Sequence, residues 1–267
     1  MSVPARERGE RSRPGPTAVA PGSVVPWAVL LALSGLAWIV TVDQTHGLGI
    51  GSAGMGMALP YFLALWVVMM AAMMFPSVAP VAIAWARSLT RRTRGVDRAL
   101  RLGSFVVGYL VSWAGFGLVV FAAVLGTQRL VEVSPAAAKL AGVVILASSG
   151  LYQLTPLKGA CLRHCRSPMA QLLRYSSYRA PMRDLRVGLH HGTYCLGCCW
   201  GLMIVLVAVG VMDVTAMAGL AFVIFLEKGW RNGPALSKAV GFALVLLAGL
   251  AWFYPGLLPA LRPTPMT

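Results

Sequence analysis

Seven stretches of the chain are apolar with almost no charge, at about 27–42, 61–86, 102–125, 136–154, 187–211, 214–226 and 239–254. They show no sustained alternation of period two, and most are too long for strands. Long uncharged runs of this kind predict helices that face lipid or one another on every side. The expected fold is all-α: a polytopic helical membrane protein with about seven transmembrane helices. Residues 1–24, rich in Arg, Pro and Gly, read as a disordered basic cytoplasmic tail. Residues 25–258 read as the helical transmembrane domain, and 259–267 as a short tail. Pro76 and Pro80 fall inside the second run. A neighbouring helix or Ser77 must then satisfy the carbonyls that these prolines leave free. Gly108, Gly115 and Gly117 in the third run allow a close helix approach.

Composition sharpens this picture. The chain is 58% hydrophobic and only 12% charged, against about 25% charged in soluble domains. The mean hydropathy is +0.73. A net charge of +15 would suggest nucleic acid in a soluble protein. Here the charges sit between apolar runs, so the expected partner is the lipid bilayer and no nucleic acid is expected. With the N-terminus inside, every Lys and Arg except Arg129, Lys139 and Arg262 falls on the cytoplasmic side. That asymmetry favours seven spans, N-terminus inside and C-terminus outside. The sequence specifies no protein partner.

Candidate chemistry is concentrated in one region. All five cysteines and three of the four histidines lie between Cys161 and Cys199. On a helix, His191, Cys195, Cys198 and Cys199 share one face within roughly 100°. Cys195 is expected about 12 Å below the start of its span, counted from Val187 at 1.5 Å per residue. Cys161, His164 and Cys165 belong to the basic loop 155–187, which Thr155-Pro156 allows to turn back over that face. A reducing cytoplasm disfavours disulfides there. Sulfur and imidazole suit a soft metal ion, copper(I) in preference to zinc. Cys161, Cys165, His191, Cys195 and Cys198 are the expected ligands, with His164 and Cys199 in reserve, because Cys198 and Cys199 are adjacent. His190 points about 100° away from His191, toward the headgroups. Met69, Met70, Met73 and Met74 form i, i+4 pairs and could continue a soft path from His46, Met55 and Met57 to the thiols. Met also packs well in apolar helices, which explains the same residues without metal.

Other polar groups have plainer readings. Glu227-Lys228 reads as an interfacial pair in the first instance, with a role in holding the 155–187 loop as the alternative. Gln153 and Thr155 are either partners of the ligands or helix caps. Ser167-Pro168 reads as the start of a short surface helix carrying Met169, Leu172 and Leu173. No catalytic triad, phosphate loop or paired-carboxylate motif is present. Two other functional classes remain open. One is a thiol-disulfide oxidoreductase using Cys195 and Cys198. The other is a structural subunit in which zinc clips the 155–187 loop to the fifth span.

Three segments carry a resemblance: Gly150-Leu-Tyr-Gln-Leu-Thr-Pro-Leu-Lys158, Cys161-Leu-Arg-His164-Cys165-Arg-Ser-Pro168, and His191-Gly-Thr-Tyr-Cys195-Leu-Gly-Cys198-Cys199-Trp200. Together they resemble bacterial predicted metal-binding integral membrane proteins, a domain-of-unknown-function family. Met69-Met-Ala-Ala-Met-Met-Phe-Pro76 and Leu226-Glu-Lys228 resemble further motifs of that family. The likeness spans about residues 60–230. It implies a multi-span protein of a bacterial inner (plasma) membrane with a metal site. His190 stands where many relatives are expected to have Arg.

Overall fold

The computed structural model describes residues 24–48, 58–90, 95–167, 175 and 182–254. Among these residues there are eight helices and no strand. They are α1 (Val24–Leu48), α2 (Leu59–Thr90), α3 (Gly95–Val133), α4 (Pro135–Leu154), α5 (Pro156–Cys165), α6 (Arg183–Val209), α7 (Val214–Gly229) and α8 (Gly233–Phe253). The two tails, Met55 and Met57, the side chain of His46 and the surface helix expected after Ser167 lie outside the described residues.

Six helices, α1, α2, α3, α4, α6 and α8, are long and apolar enough to cross a membrane. α7, where the sequence predicts a span, has 16 residues. At 1.5 Å per residue it is roughly 24 Å long, less than the roughly 30 Å of a hydrocarbon core. The helices also overrun the apolar runs. α2 continues through Arg87 to Thr90 and α3 begins at Gly95, so most of the basic segment 87–101 is helical. Arg, Leu and Ala are good helix formers, and charge at a helix end does not stop a helix. The expected loop 155–187 likewise contains α5 and the first turn of α6.

Local sequence sets the joints. Ser134 caps α4, accepting from the Ala137 N–H at 3.3 Å, with Pro135 in the first turn. Thr155 serves two helices. It ends α4, and its hydroxyl accepts from the Lys158 N–H at 3.3 Å to start α5, again with Pro in the first turn. Asp213 caps α7 through the Ala216 N–H at 2.7 Å. α2 runs through Pro76 and Pro80. Pro76 cannot donate to the Ala72 carbonyl. The Ser34 hydroxyl of α1 donates to that carbonyl instead, at 2.7 Å, and Ser77 donates to Met74 O at 2.9 Å.

α2 and α6 form the interior: 67% and 61% of their most apolar windows are buried, against 22–33% for the other spans. α3 packs along α6, α4 along α8 and α1 along α2. The outer helices keep large apolar side chains exposed, including Leu36, Ile39, Val119, Phe222, Phe242 and Leu246. The α3–α6 contact depends on small residues. A Cβ at Gly188 would overlap the Phe105 carbonyl, and one at Gly108 would overlap the Leu185 carbonyl. Gly117 packs on Trp66, whereas a Cβ at Gly115 would meet no other element within 4 Å among the described residues.

Gly188→Val is therefore expected to wedge α3 from α6. Overpacking of this kind costs about 1–3 kcal/mol, read as a lower thermal midpoint of the detergent-purified protein. Gly115→Val, which faces open space, is expected to leave the midpoint within the roughly 0.5 kcal/mol typical of neutral surface changes.

Candidate metal centre

The Cys-bearing stripe lies on the buried face of α6. His191, Cys195, Cys198 and Cys199 are all buried. The α6 helix begins at Arg183 rather than near Val187. Cys195 therefore lies roughly 18 Å along a helix of roughly 40 Å, near its middle and not at its mouth. The sulfurs of Cys195, Cys198 and Cys199 lie within 4.8 Å of one another. Adjacent residues on a helix diverge by about 100°, yet Cys198 and Cys199 bring their sulfurs to 3.2 Å. The Cys198 thiol also donates to the Cys195 carbonyl at 3.2 Å.

α5 brings the second cysteine group to this face. Cys165 is buried, with its sulfur 3.7 Å from that of Cys198. Cys161 is half-buried and rests on Gly197, where a Cβ would come within 2.8 Å of its sulfur. The Tyr152 hydroxyl donates to the Gly197 carbonyl and holds this crossing together. Burial holds the Cys161 thiol above its ordinary pKa, and the Lys158 charge works against that shift.

The imidazoles form a separate layer one turn nearer the start of α6. His164 stacks on Tyr194 at 3.8 Å between ring centroids and lies 6.5 Å from His191. His191 is buried beside the rings of Phe105 and Tyr109, at 6.2 and 6.0 Å. Its Nδ1 has no hydrogen-bond partner among the described residues. His190 does not stand alone at a headgroup surface: its Nδ1 is 3.0 Å from the Tyr175 hydroxyl, and its ring is 5.8 Å from that of His164. Met69, Met70, Met73 and Met74 are fully buried in α2, within the hydrophobic core.

Two lysines complete the site. Lys228 donates to the Cys195 sulfur and to the Ser77 hydroxyl, each at 3.1 Å. On the other side of Cys195, the Tyr109 hydroxyl is 3.1 Å from the same sulfur. Lys158 pairs with Glu227 at 2.7 Å, and both side chains are almost fully buried. Gln153 donates to Glu227 at 3.4 Å and accepts from Ser237 at 3.2 Å, while Arg166 donates to the Glu227 carbonyl at 2.6 Å. Glu227 and Lys228 are thus not an interfacial pair. They point to different partners, one holding α5 and the other touching a thiol. Of the two uncertain polar groups at the end of α4, Thr155 caps and Gln153 joins the ion pair.

A chain count could have found Lys228. Fourteen positions separate Cys195 from Val209, and fourteen separate Val214 from Lys228. Across a tight turn, an antiparallel helix pair brings two such residues level, roughly 21 Å from the turn. Nothing local to Tyr109 marks it, because its place depends on how α3 packs on α6.

The fold and site define a class, a helical bundle with a buried cluster of thiols backed by imidazole. Residues 63–251 match the PpoB2 family, described as copper chaperone, and the chain belongs to that family. No curated protein and no solved structure matches it. The donor set suits such a cargo: among the described residues sulfur predominates, no carboxylate joins the cluster, and the buried Nδ1 of His191 lacks a partner. Thiolate ligands of this kind suit soft ions, copper(I) and zinc among them.

The Lys158–Glu227 pair should be costly to split. Lys158→Met is expected to destabilise the protein by about 3–5 kcal/mol, because it leaves Glu227 buried and unpaired. The double variant Lys158→Met/Glu227→Leu should regain most of that loss, as read by thermal or denaturant unfolding.

Proposed function

We propose that this chain is a multi-pass inner-membrane copper(I) chaperone, which holds the ion in the α5–α6 sulfur cluster and passes it on by ligand exchange. The observation that carries the reading is the convergence of Cys195, Cys198 and Cys199 with Cys165, in a chain of a copper chaperone family. Cys195, Cys198, Cys199 and Cys165 are the holding ligands. Cys161, half-buried at the edge, is the sulfur through which the ion enters or leaves. His164 and His191 flank that route as imidazole donors. The α2 methionines supply soft, neutral lining behind the thiols. Copper(I) is preferred over zinc because the chain belongs to a copper chaperone family; sulfur ligands by themselves suit both ions.

The topology proposed with this function has seven spans, the N-terminal tail 1–24 inside and the tail 259–267 outside. The distribution of Lys and Arg supports it. The short α7 serves as the sixth span and reaches only as far as the level of the cluster. The cytoplasmic face then lies on the α5 side, where a soluble acceptor can reach Cys161.

Full-length protein purified in detergent under reducing conditions is expected to take copper(I) from a chromophoric copper(I) chelator. Cys195→Ser or Cys198→Ser should weaken binding by more than about a hundredfold, beyond what losing a group outside the ligand set costs. Cys161→Ser should slow transfer to a second chelator while changing affinity far less. Wild-type protein that leaves all five thiols titratable and binds neither copper(I) nor zinc would sink this reading.

A further inference from the structure

We propose that Lys228 makes the sulfur cluster discriminate by charge, admitting a monovalent soft cation and opposing a divalent one. The inference rests on the copper reading above and concerns its selectivity. Lys228 places its ammonium 3.1 Å from the Cys195 sulfur, anchored at the same distance by the Ser77 hydroxyl. The carboxylate next to it in sequence, Glu227, is committed to Lys158 at 2.7 Å. That pair cancels its own charge and leaves Lys228 without a carboxylate within ion-pair distance among the described residues. The cluster it faces is enclosed, with Cys195, Cys198 and Cys199 no more than 1% exposed. Solvent therefore screens little of the interaction.

A cation bound by Cys195 must sit beside this fixed ammonium. Coulomb repulsion scales with the product of the charges, so a divalent ion meets twice the opposition that a monovalent ion meets at the same place. Softness alone cannot make this distinction, because thiolates bind zinc and cadmium as well as copper(I). The ligand types select soft ions, and Lys228 selects among soft ions by charge. Register makes this possible: α7 is short enough to end its last turn level with Cys195.

The test compares ions of similar softness and different charge. Full-length wild-type, Lys228→Met, Lys228→Gln and Lys228→Arg proteins are purified in detergent. Copper(I) and silver(I) affinities are measured by competition with chelators, alongside zinc(II) and cadmium(II). In Lys228→Met and Lys228→Gln, the divalent ions should gain on the monovalent ions by about tenfold or more. Lys228→Arg should keep the wild-type ratio, since it keeps the charge. A ratio unchanged in both neutral variants overturns the proposal, as does an arginine variant that shifts as far as they do. Lys228→Gln retains a donor for Ser77, so it answers the question if Lys228→Met does not fold. Wild-type protein that binds no copper(I) would remove the chaperone reading itself. Wild type that binds copper(I), with unaltered selectivity in the neutral variants, would remove only the role of Lys228.

Discussion

The buried pair of Lys158 and Glu227 is the constraint on which the site depends. α5 is short and leaves α4 at a proline, so its own backbone does not dictate where it lies. The ammonium of Lys158 has no buried carboxylate but Glu227 within ion-pair distance among the described residues. Taking that charge out of water is tolerable only with this partner. Arg166, at the other end of α5, closes on the Glu227 carbonyl. Both ends of the helix are thus tied to the last turn of α7, and between them lie Cys161 and Cys165. An ion pair of this kind adds little net stability, but it fixes register, and register is what brings two cysteine groups from separate segments to one place.

The same turn of α7 controls charge at the centre. Glu227 neutralises Lys158, and the next residue carries an ammonium that faces the Cys195 sulfur and the Ser77 hydroxyl. Lys228 stands as far from the turn on α7 as Cys195 does on α6, which sets Glu227 and Lys228 near the level of Cys195. A shortened helix, capped by Asp213 at one end, therefore positions the latch for α5 and the cation beside the thiols together. The close packing of α3 on α6 at Gly108 and Gly188 adds the third side, placing Tyr109 against the sulfur that Lys228 touches.

Much of this was legible in the residues. Apolar runs marked the helices because a helix satisfies its backbone polar groups internally whatever its surroundings. The 3.6-residue repeat marked the stripe from His191 to Cys199, since side chains four apart share a face wherever the helix is placed. Helix ends were less legible. Arg87, Arg101 and Arg183 read as loop because they are charged, yet each extends a helix, because arginine is a good helix former. The same bias hid α5, whose Lys158, Arg163 and His164 disguised ten helical residues as part of a basic loop. It also started the count to the thiols at Val187, four residues after the helix begins at Arg183.

By itself the sequence determined the all-helical architecture, the soft character of the donors and the turn at Thr155-Pro156. Each of these follows from local rules of backbone geometry and ligand chemistry. Only the tertiary structure decided that the adjacent Cys198 and Cys199 bring their sulfurs together, that His190 pairs with Tyr175, and that Glu227 and Lys228 part company to serve different partners. Those outcomes depend on the relative depth and rotation of helices that are far apart in the chain. Helix depth and rotation are set by packing and buried charge, which no single segment encodes.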